Sequence, residues 1–490
     1  MFKEYTQLDG TDLALLIQKK DVSPLEIMES AIHRIEQINP KVNAVVYKMY
    51  ESAKSDASKV NLTAPLAGVP FLIKDLGLET KGHPTSGGSR LTQYYNGNRD
   101  SEIVSRYKKS GLITLGKTNI PEFGIMGVTE PYLWGPCRNP WNLELTCGGS
   151  SGGSGAAVAA RMVPIASADD GGGSIRIPAS ACGLFGFKPS RGVQPIGPQK
   201  NESWLSLVSG HVVTRTVRDS ALTLDCTKGT TIGSPYGPTK TIPNFMSALN
   251  QSVKGKKIAF SKSSLLGENI SNECINALSD TLKVCESLGM EVIEDQPKFN
   301  KQELLFSYYV IVASSTAGEV ARAEKIMGKK ASLNNIEHAT WFLKTAGEKM
   351  RASHLEQALY IARQATIEWE NFFQNYDFFC VPTLGDTPSP IGLMNLTVIE
   401  KLSIHLSDYL PLSIIVSILK QIGARGIEKT PNTCIFNMSG HPAMSVPTYW
   451  TQQNIPIGTQ FVGRMGEDEH LFSLASALET HYKWNEKSPF

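Results

Sequence analysis

The segment from Gly148 to Ser190, GGSSGGSGAAVAARMVPIASADDGGGSIRIPASACGLFGFKPS, sets two glycine runs among apolar stretches that belong in a packed interior. A Gly/Ser-rich stretch is ordinarily a flexible linker. Here AAVAARMVPIA and SIRIPASACGLFGF exclude that reading. Glycine lacks a Cβ, so runs such as Gly148-Gly149 and Gly171-Gly172-Gly173 let backbone N–H groups approach a ligand closely. Each run is followed by a serine, Ser150 and Ser174. A hydroxyl nucleophile beside a bank of donors is the minimal equipment for acyl transfer.

The rest of the chain supports a layered α/β architecture. Ser23, Pro24 and Glu26 read as a capping box opening an amphipathic helix over 23–39, with Ile27, Ala31, Ile35 and Ile38 at helical spacing. AGVPFLIKD, 67–75, predicts a turn and a short buried strand ending in charge; a helix over 101–110 and a strand over 112–115 follow. Small residues predict a helix over 153–161, and 256–295 reads as strand, helix, strand. Residues 301–330 and 336–376 read as mainly helical, 378–382 and 443–446 as strands, and 467–478 as a late helix. Strands alternating with helices imply an α/β fold. We expect one large domain over 1–490: an N-terminal helical region to about 65, a core over about 66–260 and 430–485, and a pocket-covering region over about 300–430.

Composition narrows the function classes. Hydrophobic residues make up 41% and charged residues 19%, with a net charge of +2 and no long basic run, so nothing points to a nucleic-acid footprint. The eight cysteines form no C-x-x-C pair, against a zinc or thioredoxin-like site. The most apolar window, Leu410 to Leu419, is about half of a membrane span, so no stable membrane insertion is expected. The N-terminus lacks the pattern of a signal peptide, and a cytoplasmic protein is expected.

Lys74 ends the apolar run Pro70-Phe71-Leu72-Ile73. The plain reading is a snorkelling lysine; the functional one is a buried base with its pKa lowered by desolvation. Two familiar motifs compete. GLITLGKT, Gly111 to Thr118, matches the Walker A pattern, but Leu-Ile-Thr-Leu favours a strand where a phosphate loop needs a glycine-rich turn. GSSGG, Gly149 to Gly153, matches a nucleophile elbow with Ser151 as nucleophile, yet the preceding WNLELTCG is a poor strand and the best histidine, His441, precedes a proline.

Taken together, Lys74, Ser150 and Ser174 resemble the amidase signature family. The matching stretches are GVPFLIKD, GKTNIPEF at 116–123, NPWN at 139–142, GGSSGGSGAAVAA at 148–160 and GGGSIRIPASACGLFGFKPSRG at 171–192. Weaker matches follow in order: VPTLGDTPSPIG, FNMSGHPAMSVP and IPIGTQFVGRMGEDEHLFSLASALE. The two serines are 24 residues apart, the family's interval. The resemblance implies a single α/β/α domain whose mixed, twisted central sheet is covered by helices. It implies Ser174 as nucleophile, Ser150 as a bridging serine on a cis peptide, Lys74 as base, and an oxyanion hole from Gly171, Gly172 and Gly173. By the same resemblance Gly124, Ile125 and Met126 line the acyl pocket. Asp170 and Arg176 form a supporting ion pair, with Ser151 beside them. Asp169 stands where the family often has Thr; a carboxylate near Lys74 would work against base catalysis, so we expect it to be partnered elsewhere.

The general pattern is most similar to bacterial amidases of the type that hydrolyse the 6-aminohexanoate cyclic dimer. That implies a small or oligomeric amide substrate, a cyclic oligoamide included, and no metal or organic cofactor; the sequence leaves the oligomeric state open, a homodimer being common for enzymes of this size. Two alternatives stay open: the A subunit of a glutamine-dependent tRNA amidotransferase, and a Ser-His-Asp hydrolase built on Ser151. Substrate-contacting residues are expected within 120–135, 195–215 and 300–430.

Overall fold

In the computed structural model, residues 2–197, 202–238, 240–267 and 269–490 are described. The strands are β1 (Val45–Lys48), β2 (Pro70–Lys74), β3 (Ile113–Thr118), β4 (Arg138–Asn139), β5 (Asn142–Thr146), β6 (Ile165–Asp170), β7 (Phe185–Lys188), β8 (Ser209–Thr214), β9 (Lys257–Phe260), β10 (Glu291–Glu294), β11 (Phe378–Pro382), β12 (Ala443–Trp450) and β13 (Pro456–Gly463). Eleven of them form one mixed sheet in the order β1-β3-β2-β6-β8-β7-β12-β13-β11-β9-β10. The trios β3-β2-β6 and β11-β9-β10 are parallel, and the strands between them run antiparallel.

Every residue of β2, β3, β7, β11 and β13 is buried, as expected of strands covered on both faces. Helices supply that cover. Pro24–Val42 opens with the capping box of Ser23 and Glu26 and turns Ile27, Ala31 and Ile35 inward. Glu102–Lys109, Gly152–Ala159 and Asn272–Ser287 occupy the predicted segments. Thus the α/β sandwich with a mixed sheet is the observed architecture.

Of three local expectations two are revised, and one, a strand rather than a phosphate loop at 111–118, is met. Asn142–Thr146 does form a strand, but it pairs with β4 outside the central sheet. Gly111 to Thr118 folds largely as β3, whose Lys117 Nζ donates to Thr85 Oγ1 at 2.5 Å, so no phosphate loop forms there. The third concerns membrane-span length: the helix Lys301–Met327 is long and apolar enough to cross a bilayer, contrary to the expectation that no window is. Its hydrophobic character is spread around tyrosines and serines rather than gathered in one run. One side, including Leu304, Ile311 and Val320, is buried, and the helix packs on His338–Lys349 and Ala352–Phe372.

Candidate active site

Lys74 closes β2. Its backbone N–H donates to Ser167 Oγ of the neighbouring β6 at 2.7 Å, which fixes the strand end, and its side chain has no exposed surface. Nζ donates to Ser150 Oγ at 2.8 Å and lies 2.6 Å from Asp169 Oδ1. Asp169 is therefore not partnered elsewhere, as the sequence suggested, but is the lysine's ion-pair partner. The reason is strand register: β2 and β6 run parallel as neighbours, so the carboxylate near the end of β6 meets the lysine at the end of β2. Burial pushes the Lys74 pKa down, and the Asp169 carboxylate pushes it back up.

Ser150 follows a cis peptide bond from Gly149. Gly149 is tightly enclosed: a Cβ there would lie 2.7 Å from Val128 N and 2.8 Å from Met126 O. Ser151 is wholly buried; its N–H reaches Ser174 O and its hydroxyl Asp169 O, both at 3.3 Å, so it ties the two serine loops together. His441 hydrogen-bonds Ser439 and pairs with Glu370; among the described residues it makes no hydrogen bond to Ser151.

The second glycine run is braced from below. Asp170 is fully buried, and Arg176 grips both of its oxygens at 2.8 and 2.9 Å. Burial opposes ionisation of Asp170, but Arg176 and Asn437 hold its carboxyl well below the usual range. The remaining Arg176 donors go to Thr433 O, Gln460 Oε1 and Asn437 Oδ1. Asp170 in turn accepts the N–H groups of Gly173 and Ile175 at 2.7 and 3.2 Å. Gly173 is thus turned toward the brace and is not a free oxyanion donor, a correction to the expected trio. Among the described residues, the N–H groups of Gly171, Gly172 and Ser174 meet no acceptor.

Ser174 sits between two chambers. A larger one of about 250 Å³ has mainly apolar walls: Gly124, Ile125 and Met126 on one side, and residues between Tyr308 and Cys434 on the other. A smaller one of about 90 Å³ is lined by Ser150, Asp169, Gly171 and Trp204. Gly124, Ser174 and Trp204 border both. Gly124 has φ +70°, and a Cβ on it would come within 3.2 Å of Ser150 Oγ. Among the described residues no hydrogen bond joins the Ser150 and Ser174 hydroxyls.

Sequence reasoning did not single out Tyr308, Trp204, Thr433 or Asn437. The signal for Asn437 was present in FNMSG at 436–440; Trp204 and Tyr308 lie in segments with no recognisable motif. Of the expected pocket segment 195–215, residues 198–201 lie outside the described ones.

Comparison with known proteins bears on family and fold. The Amidase family model matches residues 26–472. A 6-aminohexanoate-cyclic-dimer hydrolase from Paenarthrobacter ureafaciens is 30% identical over 98% of this chain and 96% of its own. An acylamidase from Rhodococcus erythropolis is 30% identical over 98% of this chain and 97% of its own. A solved structure of 6-aminohexanoate cyclic dimer hydrolase superposes with a TM-score of 0.88 at 28% identity, covering 99% of both chains. The chain belongs to the amidase signature family of amide C–N bond hydrolases.

Proposed function

We propose that this amidase cleaves its substrate through an acyl-Ser174 intermediate, with Ser150 and Lys74 as the proton relay. The observation that carries the reading is a lysine without exposed surface whose Nζ lies 2.8 Å from Ser150 Oγ, in a chamber that Ser150 shares with Ser174. A neutral Lys74 amine takes the Ser150 proton while Ser150 takes that of Ser174. Ser174 Oγ then bonds to the amide carbon, and the resulting oxyanion is stabilised by the free N–H groups of Gly171, Gly172 and Ser174. The relay runs backwards to protonate the nitrogen as the C–N bond breaks. Water attacks the acyl ester, releasing a carboxylic acid and restoring the Ser174 hydroxyl, so the sum is amide plus water to acid plus amine.

The chambers support an amide with one long apolar arm and one short arm. A volume of about 250 Å³ behind Ile125 and Met126 accommodates an extended or cyclic oligoamide segment. The helices between Lys301 and Lys429 supply much of that wall, so substrate choice resides there.

Replacing Ser174 with Ala is expected to lower kcat/KM by about 10⁴-fold or more with the fold intact; Lys74→Ala should be nearly as damaging and Ser150→Ala less so. Full activity in Ser174→Ala sinks the assignment. A fluorophosphonate should label Ser174, whereas label on Ser151 would assign the elbow serine. Ammonia release from glutamine only with a co-purified partner chain would assign the amidotransferase subunit instead.

A further inference from the structure

Two demands meet at Lys74. As the base of the relay it must be neutral when it takes the Ser150 proton. Yet its Nζ lies closer to Asp169 Oδ1, at 2.6 Å, than to Ser150 Oγ, at 2.8 Å. Burial of the amine favours the neutral form; a carboxylate in contact favours the ammonium. Asp169 keeps 20% of its side-chain surface and opens on the small chamber, so the pair can exchange a proton with solvent.

Among the described residues Asp169 supplies most of that field; Asp170 adds a smaller push of the same sign from farther off. Asp170, next along β6, is saturated by Arg176 and Asn437. Lys117 on β3 is turned to Thr85 and lies 3.8 Å from Asp75. Tyr107, from the helix Glu102–Lys109, donates to His211 O. Glu319, which borders the small chamber, pairs with Arg322 at 3.1 Å. The helix Pro24–Val42 presents apolar side chains and the uncharged Ser30 inward, and the segment 150–154 presents hydroxyls and glycines.

We propose that Asp169 is a positioning residue of the relay: it holds Lys74 against Ser150 and keeps it as the ammonium at neutral pH, so that hydrolysis reaches its plateau only in alkaline solution. This inference rests on the Lys74–Ser150–Ser174 reading. Removing the negative charge should let the amine lose its proton at lower pH and move the acid limb of the rate profile down.

The test is the pH profile of kcat/KM for the wild type and for Asp169→Asn, Asp169→Thr and Asp169→Glu. The limb is expected to fall by about one unit or more in the Asn and Thr variants, the size of effect one contacting charge produces, and to stay near the wild-type position in Glu. A limb that does not move in folded Asn and Thr variants overturns the proposal. So does loss of activity at every pH in both, which would make the carboxylate an obligatory proton acceptor. Should neither variant fold, the ¹³Cε shift of Lys74 in the wild type decides: an ammonium persisting to about pH 8 supports the proposal and a neutral amine at about pH 7 overturns it. That readout does not depend on turnover, so it fails separately from the catalytic reading, which an active Ser174→Ala would sink alone.

Discussion

A methyl group at Gly172 would lie 2.0 Å from Tyr308 Oη, well inside van der Waals contact. Tyr308, on the helix Lys301–Met327, thus rests on the loop that supplies the free N–H groups, while Thr433 Oγ1 holds the Gly172 carbonyl at 2.6 Å. The glycine permits this close approach, and a Cβ would force Tyr308 or the loop to shift. Displacing reacting groups by about 1 Å costs about 10²-fold in rate, and Gly172→Ala is expected to lose at least that in kcat with little change in melting temperature. Adding Tyr308→Ala should restore part of the loss, because the clash is with that side chain. If the double variant is no better than the single, Tyr308 is not the obstacle. At this scale the sequence was most informative where a motif names residue types. Lys74 meets Ser150, Arg176 meets Asp170, and Ser150 and Ser174 border one chamber. Asp169 was misjudged because its neighbour is set by the pairing of β2 with β6, which local sequence does not encode.

Among elements, legibility followed the strength of local patterning. The capping box before Pro24 and the apolar run of β2 mark their elements unaided. β6, IASADD, does not: alanine, serine and aspartate are weak strand formers, and the segment is extended because β2 and β8 flank it. β8 was likewise unread, although it pairs with β6 along its whole length. The covering helices were recognised as helices, but their faces could not be assigned to the chamber, since any amphipathic helix has an apolar side. Within Leu412–Lys429, the half-buried Ile422 borders the large chamber. Ile422→Trp would fill part of its volume without opening a cavity in the core. It is expected to lower kcat/KM for long-acyl amides by about 10-fold or more, and to leave a short-acyl amide within about 3-fold, the range one pocket contact spans. Equal losses on both would show that the large chamber does not receive the acyl arm.

Across the whole molecule, buried carboxyls join segments far apart in sequence. Glu122 accepts the Glu337 N–H at 2.7 Å, Asp219 those of Gly10 and Thr11 at 2.7 and 2.8 Å, and Glu479 that of Val217 at 3.1 Å. Burial raises their pKa values, to about 7 for Glu122, Asp219 and Glu479 and about 8 for Glu337. A carboxyl whose folded pKa lies above its unfolded value binds more protons in the fold. Its contribution is fully present below about pH 4 and is lost as pH rises through 7 to 8. Asp170 and Glu467 are held low instead, so theirs is lost only in stronger acid, as pH falls below the usual carboxylate range. Lys188 and Lys117, lowered by burial to about 7 and about 8, add stability as pH climbs past those values. The melting temperature should therefore fall by several degrees between about pH 5 and about pH 7 and flatten above about pH 8. Glu337→Gln, whose amide oxygen can still accept the Tyr132 N–H that Glu337 Oε1 now takes at 2.7 Å, should shallow the fall. Thermal melts across that range are the check, and a melting temperature that climbs steadily from about pH 5 to about pH 7 would show that these carboxyls are ionised in the fold.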